Sequence, residues 1–197
     1  MPTLATIAAV EQKHFVDVAR IQRTFLNSKH MCCCIPLGVE EEEMKYQKMY
    51  SKYPLKQELA AVALVDDQVV GFIQLVKEGV PCDLHTCKQG EMYIESVAVD
   101  PASRGLGVGT KLLEWAEEMA LQHSCNFISL GVVAGNPAIR LYERKGYVIH
   151  PQSCISSLFT VFFVCLCFGP LICPAGSRSY WTCRAYDMKK ELKKGEE

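Results

Sequence analysis

The stretch VAVDPASRGLGVGTKLLEWA, residues 97–116, decides the fold. Val97-Ala98-Val99 closes a strand at Asp100-Pro101, and glycines at 105, 107 and 109 lead into a helix expected over Val108–His123. Leu112, Ala116 and Met119 form the expected buried stripe of that helix, with Lys111, Glu114, Glu117 and Glu118 facing water. Glycine strips side chains from the turn, and the first N–H groups of the helix and its dipole favour an anion there. Arg104 adds a fixed positive charge, so the turn suits a diphosphate. A dinucleotide fingerprint needs a third glycine where Thr110 stands. A P-loop needs Gly-Lys-Ser/Thr, where this chain has Gly109-Thr110-Lys111. Taken alone, the stretch still admits a glycine-rich connection without a ligand.

Downstream, Asn136-Pro-Ala-Ile-Arg-Leu-Tyr142-Glu-Arg-Lys-Gly146-Tyr147 encodes a complete short helix. Asn136 suits the N-cap, Pro137 the first helical position and Gly146 the residue just past the end. Between the two blocks, Phe127–Val132 reads as a strand. Upstream, Thr3–Ile7 reads as a first strand and Glu11–Asn27 as a helix with Val18, Ile21 and Phe25 on one stripe. Glu40–Met49 reads as a polar helix. Leu59–Val65 and Val69–Lys77 are strands joined by a hairpin turn at Asp66-Asp67-Gln68, and Met92–Val99 is the next strand. Tyr147–His150 and Trp181 to about Lys189 complete the set. With no repeat and no linker, the chain is expected to be a single α/β domain over residues 1–197.

Composition narrows the function. The 197 residues carry 21 Lys plus Arg and 22 Asp plus Glu, so no global field draws nucleic acid, and none is expected as a partner. Eleven cysteines, with no secretory pattern in MPTLATIAAVEQKHF, point to free thiols in a reducing, cytoplasmic setting.

Together the two blocks resemble the GNAT superfamily of acyl-CoA N-acyltransferases. Its Arg/Gln-x-x-Gly-x-Gly/Ala pattern is matched by Arg104, Gly107 and Gly109, just after a strand and opening a long helix. Its Asn-x-x-Ala-x-x-Leu-Tyr-x-x-x-Gly-Phe/Tyr segment is similar to Asn136–Tyr147, although the order here is Asn-Pro-Ala-Ile-Arg-Leu-Tyr. The resemblance covers the chain except residues about 151–180. It implies a central splayed mixed β-sheet flanked by helices and transfer of acetyl from acetyl-CoA to an amine by direct attack, without a metal. The acceptor would be a peptide or protein N-terminus or a small-molecule amine. The rival is a non-catalytic CoA-binding regulatory or membrane-associated scaffold domain.

The resemblance also implies a site. Backbone groups of Val97 and Val99 would pair with the pantetheine arm. Arg104, Gly105, Gly107, Val108, Gly109 and Thr110 would hold the pyrophosphate, and Asn136 would contact the arm from the far side. Tyr142 would protonate the leaving thiolate. Tyr93 and Glu95, two apart on one strand, would line the acceptor groove, with Glu95 the expected base directly or through water. Some peptide-acetylating relatives place a histidine on the next strand; here that region is Ser129-Leu130-Gly131.

Two features stand apart. Between Lys145 and Arg178 there is no charged residue, and Ile155–Cys173 is nineteen residues of almost wholly apolar sequence. A span of that length just reaches a membrane crossing. It nevertheless lies between two strands expected to pair, so an inserted hairpin, a membrane-dipping segment or a homodimer contact is expected instead. Peripheral membrane attachment would also involve Cys32-Cys33-Cys34. Cys82, His85 and Cys87 offer three metal ligands in a loop, fewer than structural zinc requires, and no metal is expected there.

Overall fold

The structure is a computed structural model that describes residues 5–26, 39–82, 85–150 and 185–192. Its elements are β1 (Thr6–Ala9), α1 (Phe15–Leu26), α2 (Val39–Lys52), α3 (Pro54–Glu58), β2 (Ala60–Val65), β3 (Gln68–Lys77), β4 (Glu91–Val99), α4 (Val108–Gln122), β5 (Phe127–Val133), α5 (Ile139–Arg144), β6 (Val148–Ile149) and β7 (Ala185–Glu191). Cys32–Cys34, the apolar run 155–173 and the expected start of the last strand at Trp181 lie outside the described residues. The short helix α3 had no counterpart in the sequence reading, and Pro54 sits at its start, where a missing N–H costs nothing.

Seven strands form one mixed sheet in the order β1-β2-β3-β4-β5-β7-β6. The β2–β3 hairpin turns on Asp66 and Asp67, both with positive φ (48° and 61°), the geometry of a primed turn that matches strand twist. One face is sealed by α4, whose Val108, Leu112, Leu113, Ala116 and Ala120 are buried against Ile73, Leu75, Met92, Ile94, Ile128 and Leu130. The other face carries α1 and α2, where Phe15, Val18, Ile21, Tyr46 and Tyr50 pack on Val62, Phe72 and Ala98. Gly71 permits the close approach of α4, since a Cβ there would lie 3.0 Å from Val108 Cγ1 and 3.1 Å from Leu112 Cδ1. Glu117 departs from the expected solvent face of α4: it reaches Lys190 of β7 at 2.8 Å and is mostly covered.

Two irregularities position the site. First, β4 and β5 are parallel partners only from Glu91↔Phe127 to Ile94↔Leu130. Beyond that point β4 stays paired to β3 as far as Val99, and β5 to β7 as far as Val133. The sheet therefore divides into two halves held by different neighbours. Second, β3 pairs with β4 as Gln74↔Ser96 and then Leu75↔Ile94, so Glu95 is an extra residue in β4. The bulge lets Glu95 and Ser96 both address the α1–α3 side. Val97 and Val99 then return to the α4 core while Ala98 packs under α1 and α2.

Candidate active site

The turn after β4 is anchored before it becomes open. Asp100 accepts from the Ala102 N–H at 3.0 Å and from Arg20 Nη1 of α1 at 2.7 Å, and that ion pair holds its carboxyl below the ordinary carboxylate range. Arg104 Nε folds back toward the Val99 carbonyl at 3.4 Å. Gly105 and Gly107 have φ of +80° and +81°, and a Cβ at either would meet nothing within 4 Å. Backbone conformation thus favours glycine at both positions, and the space beside them is open. Gly107 is the N-cap of α4, and the first turn-closing bond runs from the Lys111 N–H to the Gly107 carbonyl at 3.1 Å. The N–H groups of Val108, Gly109 and Thr110 therefore have no helical acceptor and face the N-terminal end. Gly109 serves packing: a Cβ there would lie 3.0 Å from Leu141 Cδ2 of α5.

Asn136 accepts from the Ala138 N–H at 2.9 Å in the turn leading into α5, but the helix itself begins at Ile139 with Ala138 as its N-cap, two residues later than the sequence suggests. At the other end the Gly146 N–H donates to Glu143 and the Tyr147 N–H to Tyr142, both at 3.0 Å, with Gly146 at φ +86°. This is a Schellman closure, and it fixes α5 over a short length. Tyr142 is 6 % exposed and packed in the core beside Tyr147 (ring centroids 6.1 Å apart). Burial pushes its phenol up to about 12, so it carries its proton throughout the neutral range.

On the face of the sheet away from α4, the residues expected to line an acceptor groove divide between two clusters. Lys56 of α3 donates to both oxygens of Glu95, at 3.0 and 2.9 Å, and to the Pro81 carbonyl at 2.8 Å. Beside it, the buried Gln74 amide donates to Lys56, Leu59 and Leu75 carbonyls and accepts from the Tyr50 hydroxyl at 2.8 Å. Gln22 of α1 reaches Ser96 Oγ at 2.5 Å. In the second cluster, Tyr93 stacks on His85 with centroids 4.2 Å apart and planes within 18°. Burial pushes the Tyr93 phenol above its ordinary range, partly offset by a hydrogen bond from the Gly131 backbone. Its oxygen would sit 3.2 Å from a Cβ at Gly131, one residue past the last β4–β5 pair.

Sequence reasoning did not anticipate Lys56, nor His85 outside a metal-site role. The one available signal was Glu95-Ser96, two polar residues between Ile94 and Val97 that break strand alternation. Cys82, His85 and Cys87 do not converge as a metal site, and no group of three His, Cys, Asp or Glu among the described residues does. No helix among those residues is long and apolar enough to cross a membrane.

Residues 25–147 match the family model described as Acetyltransferase (GNAT) family. The chain is 47% identical over 62 residues to S-(2-succino)cysteine N-acetyltransferase of Bacillus subtilis, covering 30% of this chain and 38% of that protein. It is 36% identical over 62 residues to thialysine N-epsilon-acetyltransferase of Bos taurus, covering 31% and 36% respectively. The matched segments thus span well under half the length of these curated relatives. Among solved structures, yncA from Salmonella typhimurium, solved with its cofactor acetyl-CoA, superposes with a TM-score of 0.66 at 17% identity, covering 98% of this chain and 96% of that one.

Proposed function

This chain belongs to the acetyltransferase (GNAT) family, and from that premise we propose that it transfers an acetyl group from acetyl-CoA to an amine, acting as one domain over residues 1–197. The observation that carries this reading is the division of the sheet after Ile94 and Leu130, directly upstream of an open, doubly glycine-bearing turn at a helix N-terminus. A thioester with a diphosphate tail fits both parts together. The open space beside Gly105 and Gly107 supports that fit, because a Cβ at either meets no protein atom.

On this reading the pyrophosphate is held by the N–H groups of Val108, Gly109 and Thr110, by the Gly105–Gly107 backbone and by Arg104. The β4 edge at Val97 and Val99, which has no β5 partner, pairs with the pantetheine arm as an added strand would. An N–H of that edge faces the thioester oxygen and stabilises charge developing there. Asn136 borders the arm from the β5 side. The amine nitrogen attacks the thioester carbon, the C–N bond forms, and the C–S bond breaks. Tyr142, protonated at neutral pH, gives its proton to the leaving sulfur. Glu95, fixed by Lys56, and Tyr93 line the acceptor side, where a carboxylate attracts a cationic amine. Cys87 and Cys125 carry thiols rather than a disulfide, in keeping with a reducing cytoplasmic setting.

The test is CoA-thiol release by the full chain with acetyl-CoA and a panel of small amino-acid amines, peptide N-termini and lysine peptides. Release with one class establishes the activity and names the acceptor. Tight acetyl-CoA binding with no release from any acceptor would favour the non-catalytic binding domain.

A further inference from the structure

The sheet face that carries Tyr93 also holds a buried carboxylate to which transfer of the acetyl group assigns no part. Glu91 is 3 % exposed, although it stands at the very start of β4. Its Oε1 lies 3.0 Å from His85 Nε2 and accepts from the Ser129 hydroxyl, while its Oε2 accepts from the Lys88 N–H at 2.7 Å. A carboxylate removed from water needs such donors, and all three are supplied by neighbours. Facing an acceptor-only carboxylate, Nε2 must carry a proton, which leaves the lone pair of neutral His85 on Nδ1. The ring is fixed a second time by its stack on Tyr93 at 4.2 Å, and the His85 side chain remains 30% exposed. Carboxylate, tautomer and ring plane are thus set together, in the manner of a base oriented by a third group.

Position makes this arrangement relevant to chemistry. Tyr93 and Ser129 are partners across β4 and β5, and Ile94↔Leu130 is the last pair before the strands separate. The Tyr93 hydroxyl reaches Gly131 at that separation. His85 therefore lies one ring's thickness from the phenol that edges the opening. Glu95, by contrast, has both oxygens engaged by Lys56. Glu91 and Tyr93 of β4 contact the imidazole; Tyr93 in turn feels Cys82 of the loop, Asp187 of β7 and Glu95 of β4, and Cys87 feels Glu91 and Cys82. Burial keeps Tyr93 and Cys87 protonated, so the formal charge in direct contact with the ring is Glu91.

We propose that His85 is the proton acceptor for the incoming ammonium, with Glu91 as its positioning residue, so that the β3–β4 loop supplies the histidine that β5 lacks. This rests on the acetyl-transfer reading. The ammonium gives one proton to His85 Nδ1, which returns it to solvent. The resulting amine attacks the thioester carbon, and its second proton leaves the nitrogen as the tetrahedral centre collapses, ending through Tyr142 on the departing sulfur. One proton is released for each acetyl group moved.

Three measurements on the full chain test the proposal. His85→Gln keeps an N–H donor for Glu91 but has no titrating nitrogen. It is expected to lower kcat/KM for the acceptor about 100-fold, leave KM for acetyl-CoA within about two-fold, and remove the acid-side inflection of log kcat/KM against pH. His85→Ala should recover part of its rate with added imidazole, which a purely structural stack would not show. Two-bond proton–nitrogen spectra of the wild type should show His85 as the Nε2–H tautomer. An active wild type whose His85→Gln variant keeps its pH profile and rate, or a His85 ring protonated on Nδ1 alone, overturns the assignment. A wild type that releases no thiol with any acceptor instead sinks the acetyl-transfer reading itself.

Discussion

Lys56 Nζ lies 2.9 Å from Glu95 Oε2, with the two side chains 6% and 19% exposed. The pair ties the bulge of β4 to α3, and the Pro81 carbonyl takes another proton of the same ammonium. Removing the cation alone leaves a half-buried carboxylate without a partner, and losing one member of a buried pair costs about 3 kcal/mol or more. Lys56→Met should therefore lower the urea midpoint by an amount equivalent to about 3 kcal/mol, since Glu95 retains some access to water. Lys56→Met with Glu95→Gln should cost less than the sum of the single changes, by about 1 kcal/mol. Strict additivity would mean that the two charges do not depend on each other.

Four of the eight tyrosines, Tyr50, Tyr93, Tyr142 and Tyr147, have phenols pushed upward, with burial the first cause in each case. A folded-state value above the unfolded one stabilises the fold fully below the unfolded value, about 10. As pH rises past 10 the unfolded chain ionises first, and stability falls steadily toward the folded value, about 12 for Tyr142. Absorbance near 295 nm should show these four phenols ionising together with loss of circular dichroism. Their ionisation in the ordinary range with the fold intact would contradict the burial of these rings.

The β2–β3 turn offers a stabilising change. Asp66 and Asp67 both occupy the left-handed region, at φ 48° and 61°, where a side chain costs energy that glycine does not. Asp67→Gly gives the Asp-Gly pair preferred in two-residue primed turns. It should raise stability by about 0.5–1 kcal/mol, about 2 °C in Tm for a domain of this size. A fall in Tm would show that the Asp67 side chain contributes more than its backbone strain removes.

Most of the order of strands and helices was legible because the elements relied on local signals: the apolar run Val69–Lys77, the stripe of α4, and the Gly146 end of α5. The family followed from Arg104, Gly107, Gly109 and the Asn136–Tyr147 block, since close approach and positive φ restrict which residues can stand there. The roles of the polar side chains were less legible. Lys56 and Glu95 are 39 residues apart, and Glu91 and Ser129 are 38 apart. Only the sheet register brings such pairs together. His85 lacks any local pattern for a base and gains its setting from Glu91 and Tyr93 once β4 is formed. Glu95 shares the Tyr93 face, as its two-residue spacing predicts, while its bond to Lys56 of α3 and the bulge that brings Ser96 onto the same face were visible only as two adjacent polar residues.

Gly107 and Gly109 look alike in sequence but should fail for different reasons. At Gly107 a Cβ meets no atom, but the backbone is at φ +81°. Gly107→Ala should cost about 1 kcal/mol of strain, and its methyl would intrude on the space assigned to the diphosphate, weakening acetyl-CoA binding about ten-fold by calorimetry. At Gly109 a new Cβ would lie 3.0 Å from Leu141 Cδ2, the far end of a side chain on α5, the helix that carries Tyr142. Gly109→Ala should cost about 1–3 kcal/mol by overpacking. Trimming Leu141 to alanine should relieve that cost, so the double variant Gly109→Ala with Leu141→Ala is expected to be less destabilised than the single changes sum to. The same Leu141→Ala change should do nothing for Gly107→Ala. If it relieves both variants or neither, the two glycines do not divide backbone conformation from helix packing in this way.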